Sequence, residues 1–293
     1  MASHVLREKM FHDIEITRAE EKNGKGQDQP FSGETPSGKV YFGVWDGHGT
    51  NNVINKLREY IKNGQLSEFM DWPDPINIIA NDLLDKKICG PYESSGATMN
   101  CGILENDVLT FMNCGDSRMF VFKNKILVFT SEDHSWDNAK EKERLGPEVY
   151  FTPNQGLKVL AEDELLGIYS EYMIQKNGNH LAVTQALGHN NCSPPHPDVF
   201  HLKVEPTDEI VAVSLSDGVT DMLICDEEGN IIPSDIQMIY EMSAEELKNK
   251  IQRRWTSPWN MTTANGQKTT NCCYSKRDCD DIGITRFVMT PKV

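Results

Sequence analysis

Two hydrophobic rhythms divide this chain. Near its start, Phe11, Ile14 and Ile16 alternate loosely over residues 10–18 and predict an edge strand. Residues 20–38 are polar and rich in glycine and lysine, which predicts a loop around Gln27-Asp28. Val40 to Trp45 is an unbroken run of β-type residues. A turn at Gly47–Gly49 follows, and then Val53, Ile54, Leu57, Tyr60 and Ile61 recur at helical spacing. A second helix begins near Pro75 and carries Ile78, Ile79, Leu83 and Leu84.

Beyond residue 97 the rhythm changes to short apolar runs at intervals of roughly 8–12 residues, the signature of a β-meander. The runs are Ala97–Leu104, Val108–Met112, Met119–Phe122 and Ile126–Phe129, with Cys114-Gly115-Asp116-Ser117 as one of the turns. Asp137–Leu145 reads as a short charged helix, and residues 147–180 as an irregular, flap-like insertion. Val199–Val204 and Glu209–Leu215 read as a strand pair around Pro206. Helices are expected over 233–241 and 243–254, a polar loop over 256–279, and a closing strand over Ile282–Met289. Strands and helices grouped in blocks, without βαβ alternation, define an α+β fold. No Pro/Gly/Ser linker splits the 293 residues, so a single domain over 1–293 is expected.

Composition narrows the partners. A formal charge of −15 disfavours nucleic acid and anionic membranes, both polyanions. No apolar run reaches the roughly 18 residues of a membrane span. The start, Met1-Ala-Ser-His-Val-Leu-Arg-Glu, has no signal-peptide core and no glycine for myristoylation, so a cytoplasmic or nuclear location and a monomer are expected. The eight cysteines then read as reduced thiols. The cluster Cys272, Cys273 and Cys279 lacks the paired spacing of a zinc site. Lys248, Lys250, Arg253 and Arg254 read as cations favouring a helix C-terminus.

Carboxylates mark the ends of three apolar runs: Asp46-Gly47 after Val40–Trp45, Asp217-Gly218 after Ile210–Leu215, and Asp280-Asp281 before Ile282. An unpartnered charge at a buried strand end costs several kcal/mol, roughly. Three such ends brought together call for a strong positive charge, and oxygen ligands suit Mg²⁺ or Mn²⁺. Glycine after Asp46 allows a tight turn that frees the Gly47 carbonyl as a further oxygen ligand. Were Asp46 to bridge two ions roughly 3.5–4 Å apart, a water between them would ionise near neutral pH and attack a phosphoryl group directly. Gly-x-Ser-x-Gly, the P-loop pattern and the cysteine-phosphatase loop are all absent from the sequence.

These residues also carry a resemblance. In order along the chain stand Gln27-Asp28, Phe42-Gly-Val-Trp-Asp46-Gly-His-Gly49, Ser95-Gly-Ala-Thr98, Asn113-Cys-Gly-Asp-Ser-Arg118, and Asp133-His134 with Glu141-Lys-Glu-Arg-Leu145. Leu181-Ala-Val-Thr-Gln-Ala-Leu-Gly188, Pro195-His-Pro-Asp-Val199, Ser214-Leu-Ser-Asp-Gly218 with Asp221, and Asp280-Asp-Ile282 complete the series. The series resembles the type 2C metal-dependent Ser/Thr protein phosphatases, the PPM family, from about residue 25 to residue 289.

That resemblance implies a four-layer α-β-β-α sandwich of two antiparallel sheets flanked by helices, with the cations in a cleft where the sheet ends meet. It implies phosphorylated Ser/Thr proteins as substrates and two Mn²⁺ or Mg²⁺ ions. Asp46, Asp217 and Asp280 would hold the first ion, and Asp46 with the Gly47 carbonyl the second, with Asp28 nearby. Asp133 with Asp217 would hold a third, weaker ion. His48 matches the general acid that protonates the leaving alkoxide, a role suited to a group titrating near neutrality.

The chain departs from the pattern twice. Asn23 stands where relatives carry a phosphate-clamping arginine. Lys22 or Lys25 beside it, or Arg18 on the preceding strand, would then supply the charge, and an arginine at position 23 would be expected to tighten phosphate binding. His189 and Gln185 replace an aspartate and an arginine common in relatives. An active phosphoprotein phosphatase is the leading reading. A pseudophosphatase that binds a phosphoprotein or a kinase, and a hydrolase of small phosphorylated metabolites, are the alternatives.

Overall fold

Val40–Trp45 and Ile210–Leu215 are buried at every position, because each lies in a sheet covered on both faces. The computed structural model describes residues 3–8, 11–90, 94–145, 154–170, 174–176 and 179–292. For 3–8, 154–155, 169–170, 174–176 and 179–180 it describes the backbone alone.

One antiparallel sheet runs Ser3–Glu8, His12–Glu21, Ile282–Pro291, Ile210–Leu215, Arg118–Lys123, Ile126–Thr130. The other runs Asp198–Lys203, Val108–Cys114, Met99–Glu105, Val40–Trp45, Gln29–Glu34. Their inner faces meet through Ile14, Ile16, Ala212, Phe287 and Met289 from the first sheet and Val40, Phe42, Leu109 and Phe111 from the second. Phe42 and Phe287 stack across the interface with centroids 4.6 Å apart. Helices Asn52–Lys62 and Pro75–Asp85 cover the second sheet's outer face through Ile54, Leu57, Ile76 and Ile79. Helices Pro233–Glu241 and Ala244–Thr256 cover the first through Ile239, Leu247 and Ile251. The result is the four-layer α-β-β-α arrangement that the resemblance implies.

Local chemistry sets the helix ends. Asp74 accepts from the Asn77 N–H and precedes Pro75. Ser243 and Glu246 form a reciprocal capping box. Arg254, in the last turn of Ala244–Thr256, does more than favour the helix dipole. It is buried, pairs with buried Asp235 at 2.6 and 2.9 Å, and donates to the Met222 carbonyl, tying that helix to Pro233–Glu241.

Several expectations change, among them the turn at Gly47–Gly49 and the loop over 256–279, which hold the strands Gly47–Gly49, Trp259–Thr262 and Lys268–Cys272. His12–Glu21 is an inner strand, paired on both sides, and Ser3–Glu8 takes the edge. Gln29–Glu34 lies within the expected loop and forms a strand despite Pro30 and Gly33, on the edge of its sheet where proline is tolerated. Asp198–Lys203 and Ile210–Leu215 do not pair; the turn between them crosses from one sheet to the other. Asn154–Ala161 and Glu164–Ser170, inside the expected flap-like insertion, form a hairpin that joins Trp259–Thr262 and Lys268–Cys272 in a separate four-stranded sheet. The rest of 147–180 lies largely outside the described residues.

Candidate metal centre

Topology brings the acids together. Asp46 follows Val40–Trp45, and Asp28 precedes Gln29–Glu34, whose Gln29 lies opposite Trp45 in the ladder. In the facing sheet, Asp217 follows Ile210–Leu215, and Asp280-Asp281 precede Ile282–Pro291, the neighbouring antiparallel strand. Asp116 sits in the turn that carries the chain from Val108–Cys114 in one sheet to Arg118–Lys123 in the other.

Asp46, Asp116 and Asp217 each offer a carboxylate oxygen, all within 4.8 Å of one another. Desolvation, first, and then repulsion led by Asp217 raise the Asp28, Asp46, Asp116 and Asp221 carboxyls well above the usual carboxylate range. The same two causes, desolvation before Asp217, push Asp280 up to about 7. One oxygen of Asp46 and one of Asp28 are buried without any hydrogen-bond partner. Orphaned hard oxygens in a group that repels itself fit small divalent cations, which would supply both the missing partners and the missing charge.

Glycines and polar supports allow this crowding. A Cβ on Gly218 would overlap the Asp281 carbonyl oxygen, and one on Gly283 would press on Val44 and Asp28. Ser216 bonds to the Asp28 carboxyl, and its oxygen accepts from the Gly283 N–H at 2.9 Å. Asp281, buried, accepts the backbone N–H groups of Asn23, Gly24 and Gln27 at 2.8, 3.1 and 2.6 Å, which folds the loop before Asp28 onto the cleft. His134 Nδ1 accepts from the Gly115 N–H at 3.1 Å while Nε2 faces Asp198 at 3.3 Å, so the imidazole holds the turn that carries Asp116.

The expected site residues separate into groups. Asp217 acts electrostatically on Asp28, Asp46 and Asp280, and the four share the cleft. Gly47 lies at its wall, packed against Gln27 and Ile54. Asp133 is bound to Arg118 through both oxygens, at 3.0 and 2.5 Å, and acts electrostatically on Asp116, which lies beside Asp217. His48 bonds through its ring to the Asp46 carbonyl, and burial lowers it to about 4, so the free imidazole is neutral at pH 7.

Of the three candidate phosphate-binding cations, Lys25 acts on both His48 and Asp280. The Lys22 ammonium lies 3.7 Å from Glu20, and Arg18 interacts with Tyr41 and Glu20. Asn23 is buried, donating to the Asp280 carbonyl and to Gln252, both at 2.7 Å. Asp116, which lies beside Asp46 and Asp217, is absent from the ligand set expected from the sequence. A signal for it was its place in a turn at the end of an apolar strand, although as Gly115-Asp116 and not the Asp-Gly that marked Asp46 and Asp217.

Residues 9–257 match the family described as protein phosphatase 2C, and the chain belongs to that family. Protein phosphatase 1A of Bos taurus is 22% identical over 245 residues, 72% of this chain and 57% of that protein. The chain thus spans little more than half the length of that relative. Among solved structures, serine-threonine phosphatase 2C from Toxoplasma gondii superposes with a TM-score of 0.56 at 15% identity, covering 99% of both chains. The catalytic domain of serine threonine protein phosphatase PstP, in complex with two manganese ions, superposes with a TM-score of 0.50 at 13% identity, covering 95% of this chain and 99% of that one.

Proposed function

We propose that this chain is a divalent-cation-dependent phosphatase acting on phosphoserine and phosphothreonine in proteins. The observation that carries the reading is the convergence of Asp46, Asp116 and Asp217 within 4.8 Å, in a member of this family. Two Mn²⁺ or Mg²⁺ ions would be held by Asp46, Asp217, Asp280 and the Gly47 carbonyl, with Asp28 alongside. Asp116 is assigned to a third position beside Asp217, and Asp133 to holding Arg118. When bound, the cations supply an acidified water as nucleophile and neutralise charge on the phosphoryl group.

The protein's own groups do the rest. Lys25 draws the phosphate dianion to the cleft, as a point charge without arginine's bidentate fork. His48, anchored through its other nitrogen to the Asp46 carbonyl, has Nε2 buried and unpartnered. That atom carries the proton delivered to the leaving serine or threonine oxygen, and the arriving dianion supplies the charge that favours its protonation. The charge of −15 suits partners other than polyanions. No helix among the described residues is long and apolar enough to cross a membrane. A single domain working as a monomer in the cytoplasm or nucleus completes the proposal.

The pseudophosphatase reading rests on Asn23 alone, while the acidic positions are retained. Phosphate release from a phosphothreonine peptide, compared with small sugar and nucleotide phosphates in Mn²⁺, tests the substrate class. Selective turnover of the peptide is expected. Preference for a small metabolite would overturn the assignment, and turnover of none would favour the pseudophosphatase.

A further inference from the structure

A short three-stranded sheet beside the acids places two histidines on either side of one glycine. Ser95–Ala97 is its central strand; Gly47–Gly49 pairs with it on one side and Leu187–Gly188 on the other. In this register His48 lies opposite Gly96, and so does Gly188, the residue before His189. The two imidazoles stack with centroids 4.6 Å apart and planes inclined by 27°. The room for this comes from Gly96, since a Cβ there would overlap Nε2 and Cδ2 of His189.

His189 is held where it is at some conformational expense. It opens three successive non-glycine residues with positive φ, His189, Asn190 and Asn191 at 48°, 51° and 59°. It is 1% exposed, its Nδ1 lies 3.4 Å from the Ser94 hydroxyl, and its Nε2 is buried without a partner. Beside Ser94 and Gly96, what this side chain touches, with a polar atom left unsatisfied and its backbone in a disfavoured region, is the ring of His48.

We propose that His189 is a positioning residue for His48, fixing the ring plane so that Nε2 stays set for proton delivery to the leaving oxygen. This rests on the phosphatase reading. Stacking removes the rotation that the His48 ring would otherwise have about its single anchor at the Asp46 carbonyl, and catalysis by a positioned acid depends on that geometry.

The test is a leaving-group comparison. p-Nitrophenolate departs without a proton, whereas a serine alkoxide needs one. His189→Ala is expected to lower kcat for a phosphoserine peptide at least fivefold more than kcat for p-nitrophenyl phosphate, with KM for both little changed. His189→Phe keeps a flat ring and should recover most of the loss, which also separates the effect from misfolding. In the His48→Ala background, His189→Ala should add no further selectivity, because the two act as one unit. Equal losses on both substrates, no loss on either, or additive effects in the double variant would overturn the role of His189 while leaving the phosphatase reading intact. Absence of Mn²⁺-dependent turnover by the unmodified protein with either substrate would overturn both.

Discussion

Gly218 and Asp281 are in direct backbone contact, so close that a Cβ on the glycine would overlap the Asp281 carbonyl oxygen. The contact holds the segment after Asp217 against the segment that carries Asp280, and the Trp255 indole N–H donates to the Gly218 carbonyl at 2.7 Å behind it. Gly218→Ala should therefore push the two acids apart. Overpacking of this kind costs about 1–3 kcal/mol, and Mn²⁺ affinity measured by calorimetry should fall with it. An alanine variant as stable and as tight for Mn²⁺ as the unmodified protein would show that the contact is not needed.

On the proposed assignment, Asp116 takes the third-ion role that the resemblance implied for Asp133. Asp116→Asn should weaken binding of the weakest of the bound cations and lower turnover at limiting Mn²⁺ by tenfold or more, about 1.4 kcal/mol. Asp133→Asn should instead free the Arg118 guanidinium and leave the cation stoichiometry unchanged. Calorimetric titration of the two variants distinguishes these outcomes. A lost cation in Asp133→Asn, with none lost in Asp116→Asn, would restore the original assignment.

The cation-free protein has a predictable pH response. Asp280 lies near 7 in the fold against a reference value of 3.8, so between roughly 4 and 7 the folded state binds more protons than the unfolded state. Its stabilising effect is complete below the unfolded value and is lost as pH rises through 7. The buried Asp28 and Asp46 and the half-buried Asp116 act in the same direction. Glu141, held near 2 by Arg144, Thr184 and Gln185 despite its burial, opposes them only as pH falls below about 4.5. In EDTA the melting temperature should rise as pH is lowered from 8 to about 5, and Mn²⁺ should flatten the profile. A melting temperature that falls over that range would contradict the electrostatic description of the cleft.

Phosphate capture should depend on Lys25 more than on Lys22 or Arg18. Lys25→Ala is expected to raise KM for a phosphopeptide up to about tenfold, roughly 1.4 kcal/mol, with kcat less affected. Lys22→Ala and Arg18→Ala should change it little. Asn23→Arg, which the sequence alone suggested would tighten binding, removes the bonds to Asp280 and Gln252 and should destabilise the loop. A larger KM effect at Arg18 than at Lys25 would move the phosphate contact to that strand.

Much of the site was legible because carboxylates at the ends of buried strands are expensive, and Asp46, Asp217 and Asp280 advertise that expense in the sequence. The inner strands were legible for a related reason, since Val40–Trp45 and Ile210–Leu215 are covered on both faces and read as unbroken apolar runs. Gln29–Glu34 and Lys268–Cys272 were not, because they lie at sheet edges where polar residues and proline are tolerated. The pairing of Glu164–Ser170 with Trp259–Thr262 joins segments almost a hundred residues apart, and no local pattern encodes it. The stacking of His48 on His189 depends likewise on register across three strands. For Asp133, sequence gives the carboxylate but not the Arg118 guanidinium that binds it.

The central claim is that the carboxylate cleft binds divalent cations and that hydrolysis of phosphoproteins depends on them. The most direct measurement follows Mn²⁺ binding and phosphate release together, on protein dialysed against EDTA, with a phosphothreonine peptide as substrate. At least two Mn²⁺ ions should bind per chain, turnover should be absent before the titration and rise with occupancy, and Asp46→Asn should lose both. Full turnover in EDTA, or saturated Mn²⁺ sites with no phosphate released, would contradict it.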